Sequence, residues 1–369
     1  MTAPGLSRAL CLTAAAALLA GCAPRLSGVE ASDLLGALFA PPTPAEIATV
    51  EAQWAARDTR PRDARVDSDR LYGDGSRVLV VSHRIGAAGE RHVGAVRVPA
   101  GTAGRRLPVL VVGHGGDKGT STRQFERGVF LRDWVQVVPS FRGERLRTGP
   151  LGLTGGPRSG GSPSPWDRDV DDAMALLGAT LALVPEADPA RVAAVGRSRG
   201  AGVVLLMAAR DARVRGVASV FGPTDFFLPQ VQTLARRALR APVRLPGAGV
   251  LADSVLFALR DGQITLAQAR LDLVRRSPVY VAQRLPPVQL HHGTLDTKVP
   301  LAHSQRLADA LRAAGSAPEL FVYARGGHSR RSLGGSHARI EAFLTRTVGE
   351  QREASGRAEL VPPLPHTPR

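Results

Sequence analysis

VAAVGRSRGAGVVLL, residues 192–206, is an apolar run interrupted by a serine set between two arginines and two glycines. The residues before the interruption, RVAAVG (191–196), read as a short buried strand, and SRGAGVVLLMAAR (198–210) as a helix. Gly196-Arg197-Ser198-Arg199-Gly200 therefore fits G-x-S-x-G at a strand-to-helix turn, the context that pattern requires. A serine on so tight a turn needs small residues two positions to either side, because side chains there would collide with the flanking elements. The break in the apolar run presents a nucleophile.

Working outward, strand and helix patterns alternate. LPVLVVGHGG (107–116) and WVQVVPSFRG (134–143) read as strands, DRDVDDAMALLGATLAL (167–183) as a helix, and VRGVASVFG (214–222) as another strand. PPVQLHHG (286–293) with SQRLADALRAAG (304–315), then PELFVYARGGH (318–328) with SHARIEAFLTRTV (336–348), add two more strand-helix units. This alternation predicts an α/β, doubly wound, mostly parallel sheet with helices on both faces. Upstream, SRVLVVSHR and RHVGAVRVP flank a Gly-bearing connection and read as an antiparallel hairpin. Residues 223–282 break the alternation with helical pieces and are expected to form a cap over the carboxyl edge of the sheet. The α/β domain is expected over 71–349, a tether or entry segment over 23–70, and a polar, Pro-rich, disordered tail over 350–369.

The chain has 369 residues and a formal net charge of +16. Lysine occurs only at Lys118 and Lys298, so the excess is arginine, scattered along the chain without the basic stripe that binding nucleic acid demands. Nucleic acid is excluded as a partner on that ground. At the N-terminus, Arg8 precedes ALCLTAAAALLA (9–20), a stretch too short to span a bilayer and of the length of a secretory apolar region. The following Leu19-Ala20-Gly21-Cys22 resembles a bacterial lipobox, which implies cleavage within residues 1–22, lipidation of Cys22 and an extracytoplasmic, membrane-anchored place in the cell envelope. Cys11 would leave with the signal, so no disulfide is expected in the mature chain.

A serine hydroxyl becomes a useful nucleophile only beside a base, and that base needs a third group to fix its tautomer. The order Ser, acid, His is met by Ser198, Asp296 in HHGTLDTKVP and His328 in ARGGHSRR, each just beyond a predicted strand. Asp225 is a competing acid, expected instead to order the entry to the cap. His291 and His292 precede the acid and break the order, and His303 and His337 read as exposed helical residues. Donors for an oxyanion are expected from the N–H of Arg199 and from Gly115 and Gly116, with help from His114. Arg142 and Arg197 are candidates for binding a substrate carboxylate, against the plainer reading of paired structural arginines. No metal or organic cofactor is implied, since HEXXH and paired-cysteine patterns are absent.

With those residues in hand, the chain resembles α/β-hydrolases of the prolyl-oligopeptidase and dienelactone-hydrolase type from about residue 78 to about 348. SPVYVAQRLPPVQLHHGTLDTKVPLAHSQRLADALRAAG is similar to that family's acid-loop region, ADPARVAAVGRSRGAG to its strand and elbow, and VVPSFRGER to its segment with an Arg-Gly pair, here Arg142 and Gly143. The resemblance implies a serine hydrolase with Ser198, Asp296 and His328 as the triad, acting on esters, small amides or peptides. Two departures stand out: the segment before the domain is too short for the β-propeller of the family's peptidases, and His114 stands where oligopeptidases often carry tyrosine. The rival expectation is a non-catalytic envelope lipoprotein that uses the fold as a binding module.

Overall fold

The structure is a computed structural model that describes residues 28–85, 89–149, 152–241 and 247–358. Its main sheet has nine strands. They are β1 (Pro61–Leu71), β2 (Arg77–Ile85), β3 (Arg91–Val98), β4 (Leu107–Gly113), β6 (Val135–Pro139), β8 (Ala187–Arg197), β9 (Val214–Val220), β10 (Val288–Gly293) and β11 (Glu319–Tyr323). Two short strands, β5 (Thr120–Ser121) and β7 (Leu146–Arg147), pair separately. The order across the main sheet is β1-β2-β3-β6-β4-β8-β9-β10-β11. From β6 to β11 every neighbouring pair is parallel, and β1, β2 and β3 add an antiparallel edge. This is the doubly wound α/β sheet that the alternation predicts.

Side chains of the central strands split by parity, as the two-residue period of a strand requires. Val109, Val111, Val135, Val137, Val192 and Ala194 enter one core with the helices Arg168–Leu183 and Arg199–Arg210. Leu110, Val112, Val138, Ala193 and Val195 enter a second core with Phe130, Trp134 and the helix Ser336–Ala358. Both faces are covered, so these strands carry apolar residues at nearly every position.

Two expectations about the ends are corrected. Residues 23–70 were expected to be a tether, yet Gly28–Leu38 and Pro44–Ala55 are helices, and β1 pairs with β2 along the sheet edge. Leu35, Leu38, Val50 and Trp54 of this segment are buried in the first core. Thr43 and Glu46 form a capping box, and Arg270 donates to Glu46 and to the carbonyls of Ala37, Leu38, Ala40 and Pro41. The hydrogen bonds from Arg270 hold the Glu46 carboxyl at about 2. Arg275 and Arg284 also donate to Gln53 and Glu51, and Arg57 pairs with Asp167, so the lock is made by residues distant in the chain and local periodicity carries little trace of it. β1 is charged and largely exposed, with irregular register at Arg62/Arg65 and Val66/Ser68, features that blunt a sheet edge against further pairing. At the other end, a disordered tail was expected from 350, but the last helix runs on to Ala358. The signal segment, Cys22 and residues 359–369 lie outside the described residues.

Between β9 and β10 the described residues form helical pieces: Pro229–Ala238, Ala248–Leu251, a π-helical turn at Ala252–Phe257, Ala258–Arg260, Leu266–Val274 and a 3₁₀ segment at Pro278–Arg284. Capped at Thr265, the helix Leu266–Val274 buries Ala269, Leu273 and Val274. Residues of this block line one cavity with Gly115, Ser198 and Phe221, which lie just past the carboxyl ends of β4, β8 and β9, where open α/β sheets place their ligands.

Candidate active site

Ser198 follows β8 directly and has φ 51° and ψ −124°, a strained conformation for a residue with a side chain. The strain is maintained by close backbone packing: a Cβ on Gly196 would collide with the Gly200 carbonyl, and one on Gly200 with the backbone of Gly113 and His114. Gly113 ends β4, so the two glycines let the elbow nest against the neighbouring strand. The Ser198 N–H donates to the Val220 carbonyl (3.0 Å), tying the turn to β9.

Asp296 lies three residues beyond β10 and His328 five beyond β11. The Ser198 hydroxyl donates to His328 Nε2 (2.9 Å), and His328 Nδ1–H donates to Asp296 Oδ2 (2.7 Å). Asp296 Oδ1 accepts the backbone N–H groups of Lys298 (2.9 Å) and Val299 (3.0 Å), so both oxygens are held. Burial pushes the Asp296 carboxyl up, but the hydrogen bonds from His328 and these N–H groups outweigh it, leaving the pKa below its ordinary value. A charged acid behind the imidazole fixes Nδ1 as the protonated nitrogen and leaves Nε2 free to accept.

Gly115 and Gly116 line the same cavity as Ser198, and a Cβ on Gly115 would lie 3.3 Å from the Ser198 Cβ. Arg199 opens the helix after the nucleophile, so its N–H lacks an intrahelical acceptor. These groups can offer donors to an oxyanion beside Ser198. The His114 side chain does not join them, because it is buried, stacked on Phe141 (4.2 Å between centroids) and set 3.7 Å from Glu144. Burial pushes its pKa down to about 3, which keeps the ring neutral.

The arginines expected to greet a carboxylate are engaged elsewhere. Arg142 makes a two-pronged pair with Asp172 (2.7 and 2.9 Å). Arg197 borders the cavity but pairs with Glu126, which also takes Arg330 (2.7 Å). Arg199 points its guanidinium inward, where it pairs with Asp169 and Glu144, donates to the Gly116 carbonyl (3.2 Å) and lies over the Phe141 ring. Two arginines flanking a serine look like a carboxylate clamp only while the acids that neutralise them are unseen.

Other histidines are structural. His291 lies between Tyr323 and Gln289, and His292 between Ser304 and the Val299 carbonyl. His303 is buried rather than exposed; its Nδ1 accepts from the Thr224 N–H (3.1 Å), and the residue forms part of the cavity wall. Asp225 accepts from Tyr280 (3.0 Å) and from the Phe227 N–H (2.9 Å), at the entry to the cap. Sequence reasoning missed two aromatic supports. Phe221, at φ 42°, sets its ring 4.4 Å from that of His328, and Trp166 donates to the Arg199 carbonyl while packing on Phe226. The Phe221-Gly222 pair just past β9 is a signal that marks the first, whereas Trp166, two residues before the helix Arg168–Leu183, carries none.

The nine-stranded sheet, the elbow and the relay define an α/β hydrolase with the side-chain set of a serine hydrolase. Comparison with known proteins agrees with that class: a model of the prolyl oligopeptidase family matches residues 263–351, which carry Asp296 and His328. A probable isoprenylcysteine alpha-carbonyl methylesterase of Arabidopsis thaliana is 30% identical over 112 residues, 28% of this chain and 24% of that protein. The chain thus spans about a quarter of the length of this curated relative. Among solved structures, acetyl xylan esterase 1 from Thermoanaerobacterium sp. JW/SL YS485 superposes with a TM-score of 0.55 at 16% identity, covering 87% of this chain and 98% of that one. An acylaminoacyl peptidase of Pyrococcus horikoshii gives a TM-score of 0.51 at 15% identity over 77% of this chain and 49% of that one.

Proposed function

We propose that the chain hydrolyses carboxylic esters, and more slowly small amides or peptides, through an acyl-enzyme on Ser198. The observation that carries this reading is the continuous hydrogen-bonded relay from Ser198 through His328 to Asp296, opening onto a cavity. Ser198 Oγ attacks the carbonyl carbon while His328 Nε2 takes its proton. Negative charge developing on the carbonyl oxygen is met by N–H groups of Arg199 and the Gly115–Gly116 turn. His328 then returns the proton to the departing alcohol, and water releases the acyl group by the same steps in reverse. The ester preference is supported by the methylesterase names of the relatives detectable by sequence.

The protein's place in the envelope, tethered by a lipid on Cys22, is part of the same proposal and is supported by the lipobox-like residues 19–22. Labelling of the folded protein with a fluorophosphonate probe tests the catalytic reading. An adduct on Ser198 that vanishes in Ser198→Ala is expected, and its absence favours a binding module. Metabolic labelling with a palmitate analogue tests the anchor, with loss of label expected in Cys22→Ala.

A further inference from the structure

The cavity at Ser198 has a volume of about 750 Å³, far more than an acetyl group needs and within the range that holds a drug-sized ligand. Much of its lining is apolar: Leu38 and Phe39 from the N-terminal helical segment, Trp166 and Phe226 beside the elbow, and Val255 and Leu256 from the π-helical turn. One side is formed by the helix Pro229–Ala238, whose Val231, Leu234, Ala235 and Ala238 recur at helical spacing and line the chamber. No residue of that helix is buried. Val231, Ala235 and Ala238 pack only partly against the first core, and Gln230, Thr233 and Arg237 flank them in the lining, so an apolar ligand beneath the stripe would complete its burial.

Polarity is distributed unevenly around the reacting atoms. Beside His328 the wall carries Thr297, Lys298, Ser329 and Arg330 next to the Phe221 ring, whereas the more apolar lining meets the elbow through Trp166, whose indole bonds the Arg199 carbonyl. His328 is the group that protonates the leaving oxygen, so the alcohol half of an ester leaves on the polar side. The acyl half then extends away from His328, under the cap.

We infer that the chamber takes the acyl chain of a medium- or long-chain aliphatic ester, with a polar alcohol as the leaving group. This rests on the serine-hydrolase reading above and deepens it by naming the substrate class. The bonds balance as in any ester hydrolysis: the Ser198 Oγ–acyl bond forms, the acyl–alcohol bond breaks with the proton passed by His328, and water then releases the fatty acid. The N-terminal helices take part because Leu38 and Phe39 close the chamber, a role that no tether would have.

The test is a chain-length series with the full protein, p-nitrophenyl acetate through decanoate, below the critical micelle concentration. Each methylene buried in the chamber is expected to raise kcat/KM by about threefold to fourfold, so that octanoate, with six more methylenes, exceeds acetate by about a thousandfold. Ethyl octanoate and octyl acetate, which are isomers, decide which half occupies the chamber. Faster hydrolysis of ethyl octanoate is expected, and preference for octyl acetate overturns the assignment. Ala235→Trp, which puts an indole into the chamber, is expected to lower the octanoate-to-acetate ratio about tenfold; an unchanged ratio refutes the proposal. Ser198-dependent hydrolysis of acetate with no gain along the series overturns the inference alone. Failure of every ester together with failure of fluorophosphonate labelling overturns the hydrolase reading and the inference with it. Faster turnover of aminoacyl anilides than of any fatty ester also refutes the inference.

Discussion

Replacing Arg199 with methionine removes a cation whose side chain is 2% exposed and which neutralises two buried carboxylates, those of Asp169 and Glu144. Removing one partner of a buried ion pair leaves an uncompensated charge and destabilises by about 3–5 kcal/mol. Burial already pushes the Asp169 carboxyl up to about 6 and raises that of Glu144, in each case against the pull of Arg199. Without the guanidinium both rise further, so the variant's native state binds protons that the wild type does not. A carboxyl whose folded pKa is raised contributes stability that is present at low pH and lost as pH climbs through the folded value. The penalty of Arg199→Met is therefore largest near pH 8 and shrinks toward pH 5, by up to about 1.4 kcal/mol per pH unit for each extra carboxyl protonated. Urea unfolding of both proteins from pH 5 to 8 reads this directly. The Gly116 carbonyl also loses a donor, so kcat for a p-nitrophenyl ester should fall more than tenfold, about 1.4 kcal/mol or more in the barrier. A loss below about 1 kcal/mol at pH 8, or one that does not change with pH, would refute this account of how the elbow is anchored.

Asp296→Asn keeps the shape of the relay but offers the wrong partner to Nδ1, and should lower kcat about a thousandfold or more with little change in KM, read by steady-state ester hydrolysis. Gly200→Ala drives a methyl into the Gly113 backbone and should destabilise by about 1–3 kcal/mol in urea melts, whereas Gly249→Ala, which meets no atom within 4 Å, should be nearly neutral. Acid lability should come from histidines that burial keeps neutral: His83, His114, His291 and His303 at about 3 and His92 at about 4. Their depressed values mean stability fully present above about pH 6.5 and lost as pH falls toward 4. Asp169, Asp172 and Glu144, raised by burial, act in the opposite sense, but five histidines outweigh three carboxyls. The urea midpoint should decline steadily below pH 6.5, and a flat profile to pH 4.5 would contradict the assignment of neutral buried rings.

Much of the architecture was legible because its determinants are local. A parallel strand covered on both faces must be apolar at successive positions, and its helix must carry a 3.6-residue stripe, so β4, β8, β9 and their helices announce themselves. The elbow was legible for a similar reason: only glycine permits the close approach of residues 196 and 200 to their neighbours, and only a strand-to-helix junction requires it. Chain order and strand ends were enough to nominate Asp296 and His328. The same rules did not reveal how residues 28–71 are held to the domain, since Arg270 reaches their carbonyls from more than 200 residues away.

Sequence alone determined the kind of sheet, the turn that carries Ser198 and the identity of the residues that could serve it, since each follows from periodicity, steric room or position at a strand end. Only the tertiary structure decided how the charges pair and what encloses the substrate. Arg142, Arg197 and Arg199 are cations in any reading, but whether they face a ligand or an acid depends on Asp172, Glu126, Asp169 and Glu144, brought beside them from distant segments. Desolvation and pairing are properties of the folded interior, and no local pattern encodes them. The chamber under the cap is likewise a space between elements, and it came into existence only when the N-terminal helices, the elbow and the block between β9 and β10 packed around it.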